Sequence, residues 1–252
     1  MSDPVPAFVT EFNKIVGECA TFRYITRDSE LQKVACTKLR DLLAQIETEK
    51  ESARASGNEN YANLLLGCNC VADGLISEIE MWLLLKEGRP DQAWDALVAA
   101  QSNLSSAMRA HGGFVRIEDS IRQLDALERL IFPPQVFLSS GMIVKSQICS
   151  ICGQEYEDCE HVKGRPYMGT FCTVTLIPSA VDHVAIVESP ANKRCRIVKF
   201  TDAGGSRNRM TWVLEPTDNA DKEAAESRTA EGIFAISTPS EDNTEKDITF
   251  VE

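Results

Sequence analysis

The sequence predicts an α+β fold, an N-terminal antiparallel helical bundle followed by a smaller antiparallel β domain, and three observations point to it. Apolar residues recur at three- and four-residue spacing from Phe8 to Ile131, the mark of helices with one buried face. Two adjacent prolines, Pro133-Pro134, close that pattern, because neither can donate a helical hydrogen bond. Beyond them the spacing turns to period two, in short runs separated by Gly, Pro, Asp and Asn, as in strands joined by turns. The expected divisions are an all-α domain at 1-134, a β domain at 135-215, and an acidic connector with C-terminal strands completing the β domain at 216-252.

The first helix carries Phe8, Val9, Phe12, Ile15, Val16 and Cys19 on one face. The second places Leu31, Val34, Ala35, Leu39, Leu42, Leu43 and Ile46 inward, is opened by Asp28 or Ser29 as N-cap, and ends at Ser56-Gly57. A third, from Glu59 to Glu87, is apolar on nearly every side around Leu64–Leu66 and Trp82–Leu85, as expected of a central helix. Gly88 stops it, Pro90 sits at a first-turn position, and Asp91 to Ala110 forms a fourth helix ended by Gly112-Gly113. This junction, Leu83 to Trp94, resembles a tetratricopeptide helix hairpin and implies a scaffold, although no second copy recurs at a fixed period. A fifth helix turns Ile117, Ile121, Leu124, Leu127 and Ile131 inward.

The expected strands are Met142–Val144, Phe171–Ile177, Val184–Val187, Cys195–Phe200, Met210–Leu214, Gly232–Ile236 and Ile248–Val251, with Thr217–Glu231 a polar connector or an isolated short helix. Between the first two strands lies the most informative segment of the chain, Cys149-Ser150-Ile151-Cys152-Gly153 followed by Cys159-Glu160-His161. Two intervening residues let one tight turn aim both sulfurs of Cys149 and Cys152 at a single ion. Gly153 supplies the left-handed conformation such a turn needs. If extended, Cys159-x-His161 projects both side chains to one side. Three thiolates and an imidazole form a closed tetrahedral set for one structural Zn2+, leaving no open position for catalysis. Cys172 is the alternative ligand should His161 turn outward. Gln154, Glu155, Glu157, Asp158 and Glu160 make the segment too polar to be core.

With 43% hydrophobic and 25% charged residues over 252 positions, the composition is that of a globular protein. No apolar run reaches the roughly 18–20 residues of a membrane span, so no membrane partner is expected. Met1-Ser2-Asp3-Pro4 lacks the basic and apolar regions of a signal peptide, and the expected location is cytoplasmic. Nine cysteines, an odd number with most outside the clip scattered singly, are expected to be reduced.

The net charge of −12 is unevenly spread. Lys193, Arg194, Arg196, Lys199, Arg207 and Arg209 face one acid, Asp202, between 193 and 209, whereas from Glu215 to Glu252 eleven acids outnumber three bases. The six basic residues are candidates for binding nucleic acid or an acidic partner, with Phe200 and Trp212 the aromatics nearby. A solvated face balanced by the chain's own acids is the plainer reading. Catalytic motifs are thin, and no catalytic residue is assigned. Asp182-His183 with Cys172 or Cys195 suggests a thiol nucleophile and its base, but adjacent strand residues face opposite sides, so Asp182 is not expected to orient His183. Cys68-Asn69-Cys70 lies within a helix, where residues two apart diverge and do not chelate.

The clip residues with Gly164, Tyr167, Gly169 and Cys172, followed by Val187-Glu188-Ser189-Pro190-Ala191-Asn192, resemble a cysteine-histidine zinc insert in some proteins of the tailed-phage prohead protease family and in uncharacterised bacterial relatives. The resemblance covers Ile148 to Val198 and implies metal binding at Cys149, Cys152, Cys159 and His161. It does not imply proteolysis, because the required histidine and serine would precede the insert, where this chain is helical and holds only His111. By analogy it points to an accessory role in a phage-derived or anti-phage system. The expected function is therefore a non-enzymatic protein-interaction adaptor stabilised by zinc, with exposed apolar positions on the third or fourth helix. The alternatives are a nucleic-acid-binding protein using 193-209 and a hydrolase with its site between the two halves.

Overall fold

The computed structural model describes residues 7–202, 205–215, 229–234 and 246–251. Five α-helices precede an antiparallel sheet, as the sequence predicts. The helices are α1 (Ala7–Ala20), α2 (Ser29–Ala55), α3 (Glu59–Lys86), α4 (Pro90–Ala110) and α5 (Glu118–Ile131). The chain forms two compact units. One joins the residues up to Leu130 with Val162–Cys172, and the other joins Ile131–His161 with the residues from Thr173 onward.

Helix ends follow local chemistry. Asp28 caps α2 by accepting from the backbone N–H groups of Glu30 and Leu31 at 2.9 and 3.0 Å, which satisfies donors that the first turn leaves orphaned. Asn58 caps α3 in the same way, accepting from Tyr61 N at 3.1 Å. Gly88 adopts φ +71 in the short link to α4, whose first residue is Pro90. Helix α3 is central, packing against α1, α2 and α4. It buries residues on all sides, among them Ala62, Leu65, Ala72, Ile79 and Met81 at 0% exposure. Gly74 lets α4 approach, since a Cβ there would meet Leu104 Cδ2 at 2.9 Å. Gln101 on α4 reaches α5 by donating to Asp125 and Glu128.

Two expectations about helix faces are corrected. Ala35, Leu39, Leu42 and Ile46 of α2 are buried, but Leu31 and Val34 are 52% and 63% exposed. They lie beside the buried face of the same turns, which is formed by Gln32, Ala35, Cys36 and Leu39. In α5 only Leu124 is fully buried, and Ile117 belongs to a short 3-10 helix, Gly112–Ile117, between α4 and α5. The expectation of exposed apolar positions on the third or fourth helix is corrected as well: among the described residues, the large apolar side chains that are exposed lie outside α3 and α4.

The second unit is built on a long antiparallel ribbon of β1 (Phe137–Cys149) and β4 (Val174–Val187), with irregularities after Gly141, Ile143 and Val144. A small hairpin between them, β2 (Pro166–Tyr167) with β3 (Thr170–Phe171), groups with the helices. Strand β5 (Arg196–Asp202) meets β1 at Phe137↔Arg196 and pairs along its length with β6 (Gly205–Asn208) and β8 (Thr229–Phe234). Strand β7 (Leu214–Glu215) extends β6, and β9 (Lys246–Val251) pairs with β8.

The expected strands at 171–177 and 184–187 are parts of one hairpin and one continuous strand, because the turn residues between them form bulges in place of an end. Met210 and Thr211 form a turn, while the strand lies before it at Gly205–Asn208; the side chain of Asn208 accepts from Met210 N and Thr211 N and holds that turn. The connector expected at 217–231 lies outside the described residues up to 228, whereas Thr229–Glu231 are in β8. The expected strand residues 235–236 also lie outside them.

Replacing Leu39, which is fully buried, with alanine is expected to cost about 3 kcal/mol in urea unfolding. Leu31→Ala, on the exposed face, is expected to change stability by less than about 0.5 kcal/mol.

Candidate metal centre

The residues singled out by spacing do converge. One ligand atom from each of Cys149, Cys152, Cys159 and His161 lies within 4.8 Å of all the others. Cys149 is the last residue of β1 and is fully buried, Cys152 is exposed, and Cys159 and His161 are half-buried. Cys172 is not in this group; it is buried in the segment that groups with the helices.

Each half of the clip has a local cause. Gly153 N donates to Cys149 O at 2.9 Å, and Cys149 N donates to Gln154 O at 2.9 Å, so the chain reverses within four residues. Gly153 adopts φ +72 in that reversal, where a Cβ would be strained. Ile151 N donates toward Cys149 Sγ at 3.4 Å. The short 3-10 helix Tyr156–Asp158 then turns the chain back, and Cys159 follows it in extended conformation at φ −114, ψ 153. Glu155 fixes this turn to β1 by accepting from Gln147 N at 3.1 Å and from the Ser146 hydroxyl. Those two bonds hold the Glu155 carboxyl below its ordinary value, Ser146 contributing most.

Desolvation first, and the Cys149 and Cys152 thiols after it, push the Cys159 thiol above its ordinary value. A divalent cation among closely set sulfurs stabilises the thiolate form of each. The donor set of three sulfurs and one imidazole therefore fits a metal ion.

The residues after the clip have roles that spacing alone did not reveal. Val162 N donates to the Tyr167 hydroxyl at 2.9 Å, Gly164 N to Cys172 O at 2.8 Å, and Cys172 N to Arg165 O at 2.8 Å. Ser150, inside the Cys149-x-x-Cys152 turn, exchanges bonds with Thr173: its N–H donates to Thr173 O at 3.0 Å and its hydroxyl accepts from Thr173 N at 2.8 Å. The Gly164, Tyr167, Gly169 spacing next to the clip was the only signal of this arrangement in the sequence.

The basic stretch is largely occupied within its own unit. Arg196 is 1% exposed. Lys199 pairs with Glu215 at 3.0 Å, Arg207 donates to Trp212 O at 3.0 Å, and Arg209 donates to Pro134 O at 2.8 Å. The Arg209 guanidinium also lies over the Phe200 and Trp212 rings, 5.7 and 5.1 Å from their centroids. Lys193 and Arg194 lie in the turn before β5.

Asp182 and His183 correct an expectation: they do meet, His183 Nδ1 to Asp182 Oδ2 at 3.0 Å. The ladder pairs Gly141 with His183 and Met142 with Val181, so Asp182 is an extra residue in a bulge, and a bulge breaks the alternation that separates neighbours. Gly141 makes room, since a Cβ there would meet the His183 ring at 2.4 Å. Both side chains of the pair are exposed. Cys68 and Cys70 are buried in α3, where desolvation pushes their thiols up to about 12 and about 11, as inert thiols of a core.

No protein-family model, curated protein or solved structure gives a significant match to this chain.

Titration with cobalt(II), whose thiolate charge-transfer absorption reports sulfur ligation, is expected to give a tetrahedral spectrum in the wild type and in Cys172→Ser. Cys149→Ser is expected to lose that spectrum or bind at least about tenfold more weakly.

Proposed function

We propose that the protein is a non-enzymatic interaction adaptor whose β unit is organised by one structural Zn2+ held by Cys149, Cys152, Cys159 and His161. The observation that carries this reading is the convergence of four protein ligand atoms within 4.8 Å. A tetrahedral zinc with Zn–S of about 2.3 Å and Zn–N of about 2.0 Å spaces its ligand atoms by roughly 3.5–3.8 Å, a small closure from that arrangement. Soft thiolate donors favour zinc over the hard cations. Four protein ligands fill its coordination shell, so the ion builds structure and has no open position for substrate.

An adaptor role is supported by apolar surface on the helical unit. Tyr24, Ile25, Leu31 and Val34 are 46–63% exposed, on the first turns of α2 and the loop before it. Exposed apolar side chains of this kind are what a docking site offers a partner protein. Resemblance of the clip to the phage-associated insert supports an accessory role in a phage-derived or anti-phage setting.

Purified protein is expected to contain about one zinc per chain, and chelation to lower the midpoint of thermal unfolding. Absence of zinc by elemental analysis, or a midpoint indifferent to chelation and to Cys149→Ser, would refute the structural-zinc reading. Affinity purification from the native host is expected to recover a partner with wild type that is lost with Leu31→Glu/Val34→Glu. Recovery unchanged by those substitutions would remove the docking assignment. Because the basic stretch is engaged internally, oligonucleotide binding is expected to be weak and without a steep salt slope.

A further inference from the structure

The hairpin β2–β3 is strained, short and gripped from outside. Its two-residue loop is Met168-Gly169, with Tyr167 paired to Thr170. Met168 has φ +46 and Gly169 φ +76, the pattern of a type I′ turn, in which both central residues take positive φ. Glycine does so freely, but a long unbranched side chain such as that of Met168 is out of place there. Two residues per strand are also too few to hold a hairpin in water. The turn therefore persists because its surroundings fix it.

Those surroundings belong to the helical unit. Arg54, near the end of α2, donates from Nε to Met168 O at 2.8 Å, and from Nη2 to Gly169 O at 3.1 Å and Thr170 Oγ1 at 2.8 Å. From α3, Glu59 Oε1 accepts from Met168 N at 3.3 Å and Asn63 Oδ1 accepts from Gly169 N at 2.8 Å. Every backbone group at the tip except Thr170's is thus read by a side chain of α2 or α3. Gly169 is buried so closely that a Cβ would stand 2.9 Å from Lys50 Cγ and 3.0 Å from Ala62 O. At the base of the hairpin, the Arg109 guanidinium lies over Phe171, 5.6 Å from its centroid.

Both ends of the same segment issue from the metal clip. Val162 follows His161 directly, and Thr173, just past the hairpin, is held by Ser150 inside the Cys149-x-x-Cys152 turn. When the four ligands are tied to one ion, the segment between His161 and Thr173 is closed into a short loop, and the cost of ordering its tip is reduced. When they separate, the ordering cost of the loop falls on the contacts at its tip alone.

We propose that residues 162–172 form a latch, docked into the Arg54–Glu59–Asn63 site of the helical unit when the clip holds its metal and released when the metal leaves. This rests on the zinc reading above and adds a conditional element to it.

The test is hydrogen–deuterium exchange read by mass spectrometry on the full chain, with metal content measured on the same samples. In metal-loaded wild type the 162–172 peptide is expected to be protected. Chelation is expected to raise its exchange about tenfold or more, while peptides from the middle of α2 and α3 keep their protection. Arg54→Ala is expected to raise exchange of the same peptide to a similar degree with the metal still bound. Protection of 162–172 that survives metal removal would overturn the latch, as would equal loss of protection in α2 and α3, since a latch opens alone. Unchanged exchange in metal-loaded Arg54→Ala would overturn the docking site. A chain that never holds metal would sink the zinc reading itself, a result distinct from a metal-bound chain whose hairpin ignores chelation.

Discussion

Three sulfurs and an imidazole packed within 4.8 Å of one another place a constraint on everything around them. Neutral thiols can sit so close, but thiolates repel unless a cation lies among them. The chain commits several local devices to this convergence: the end of a long strand at Cys149, a left-handed Gly153, a 3-10 turn over Tyr156–Asp158 and an extended exit through Cys159 to His161. Glu155 then bonds the clip to β1, and Ser150 bonds it to Thr173, the residue before β4. None of these elements buries much apolar surface, so the segment has little of the hydrophobic driving force that orders an ordinary core, and a bound ion is the natural substitute.

The helical unit is stabilised in the usual way, by apolar burial around α3. Its polar features have specific uses. Arg54, Glu59 and Asn63 are spent on the backbone of a hairpin that lies far away in sequence, directly after the metal ligands. Lys199, Arg207 and Arg209 are engaged in a comparable manner by carbonyls, a carboxylate and aromatic rings of their own unit. A run of positive charge in the sequence thus measures potential, while the structure shows how much of it is already engaged.

Where sequence reading failed, periodicity had been applied beyond its range. Leu31 and Val34 read as part of the apolar stripe of α2, but the inward position of the first turn is the polar Gln32, bonded to the carbonyls of Phe22 and Tyr24, and both apolar residues are exposed. Asp182 and His183 were assigned to opposite faces by strict alternation, and a bulge opposite Gly141 brought them together. The same irregular register fused two expected strands into β4. Gly205–Asn208 carries too few apolar residues to signal a strand, yet it pairs with β5 because its neighbour demands a partner for its backbone.

The sequence by itself determined the local chemistry: a helix cap at Asp28, a stop at Gly88, the break at Pro133-Pro134, and three thiols and an imidazole within thirteen residues. Each of these follows from interactions reaching only a few positions along the chain. Tertiary structure alone decided that His161 and not Cys172 lies beside Cys149, Cys152 and Cys159, that Arg196 is buried, and that a strained Met168-Gly169 turn is held by α2 and α3. Those outcomes depend on which distant segments meet, and no spacing rule encodes the meeting of Arg54 with a backbone carbonyl more than a hundred residues away.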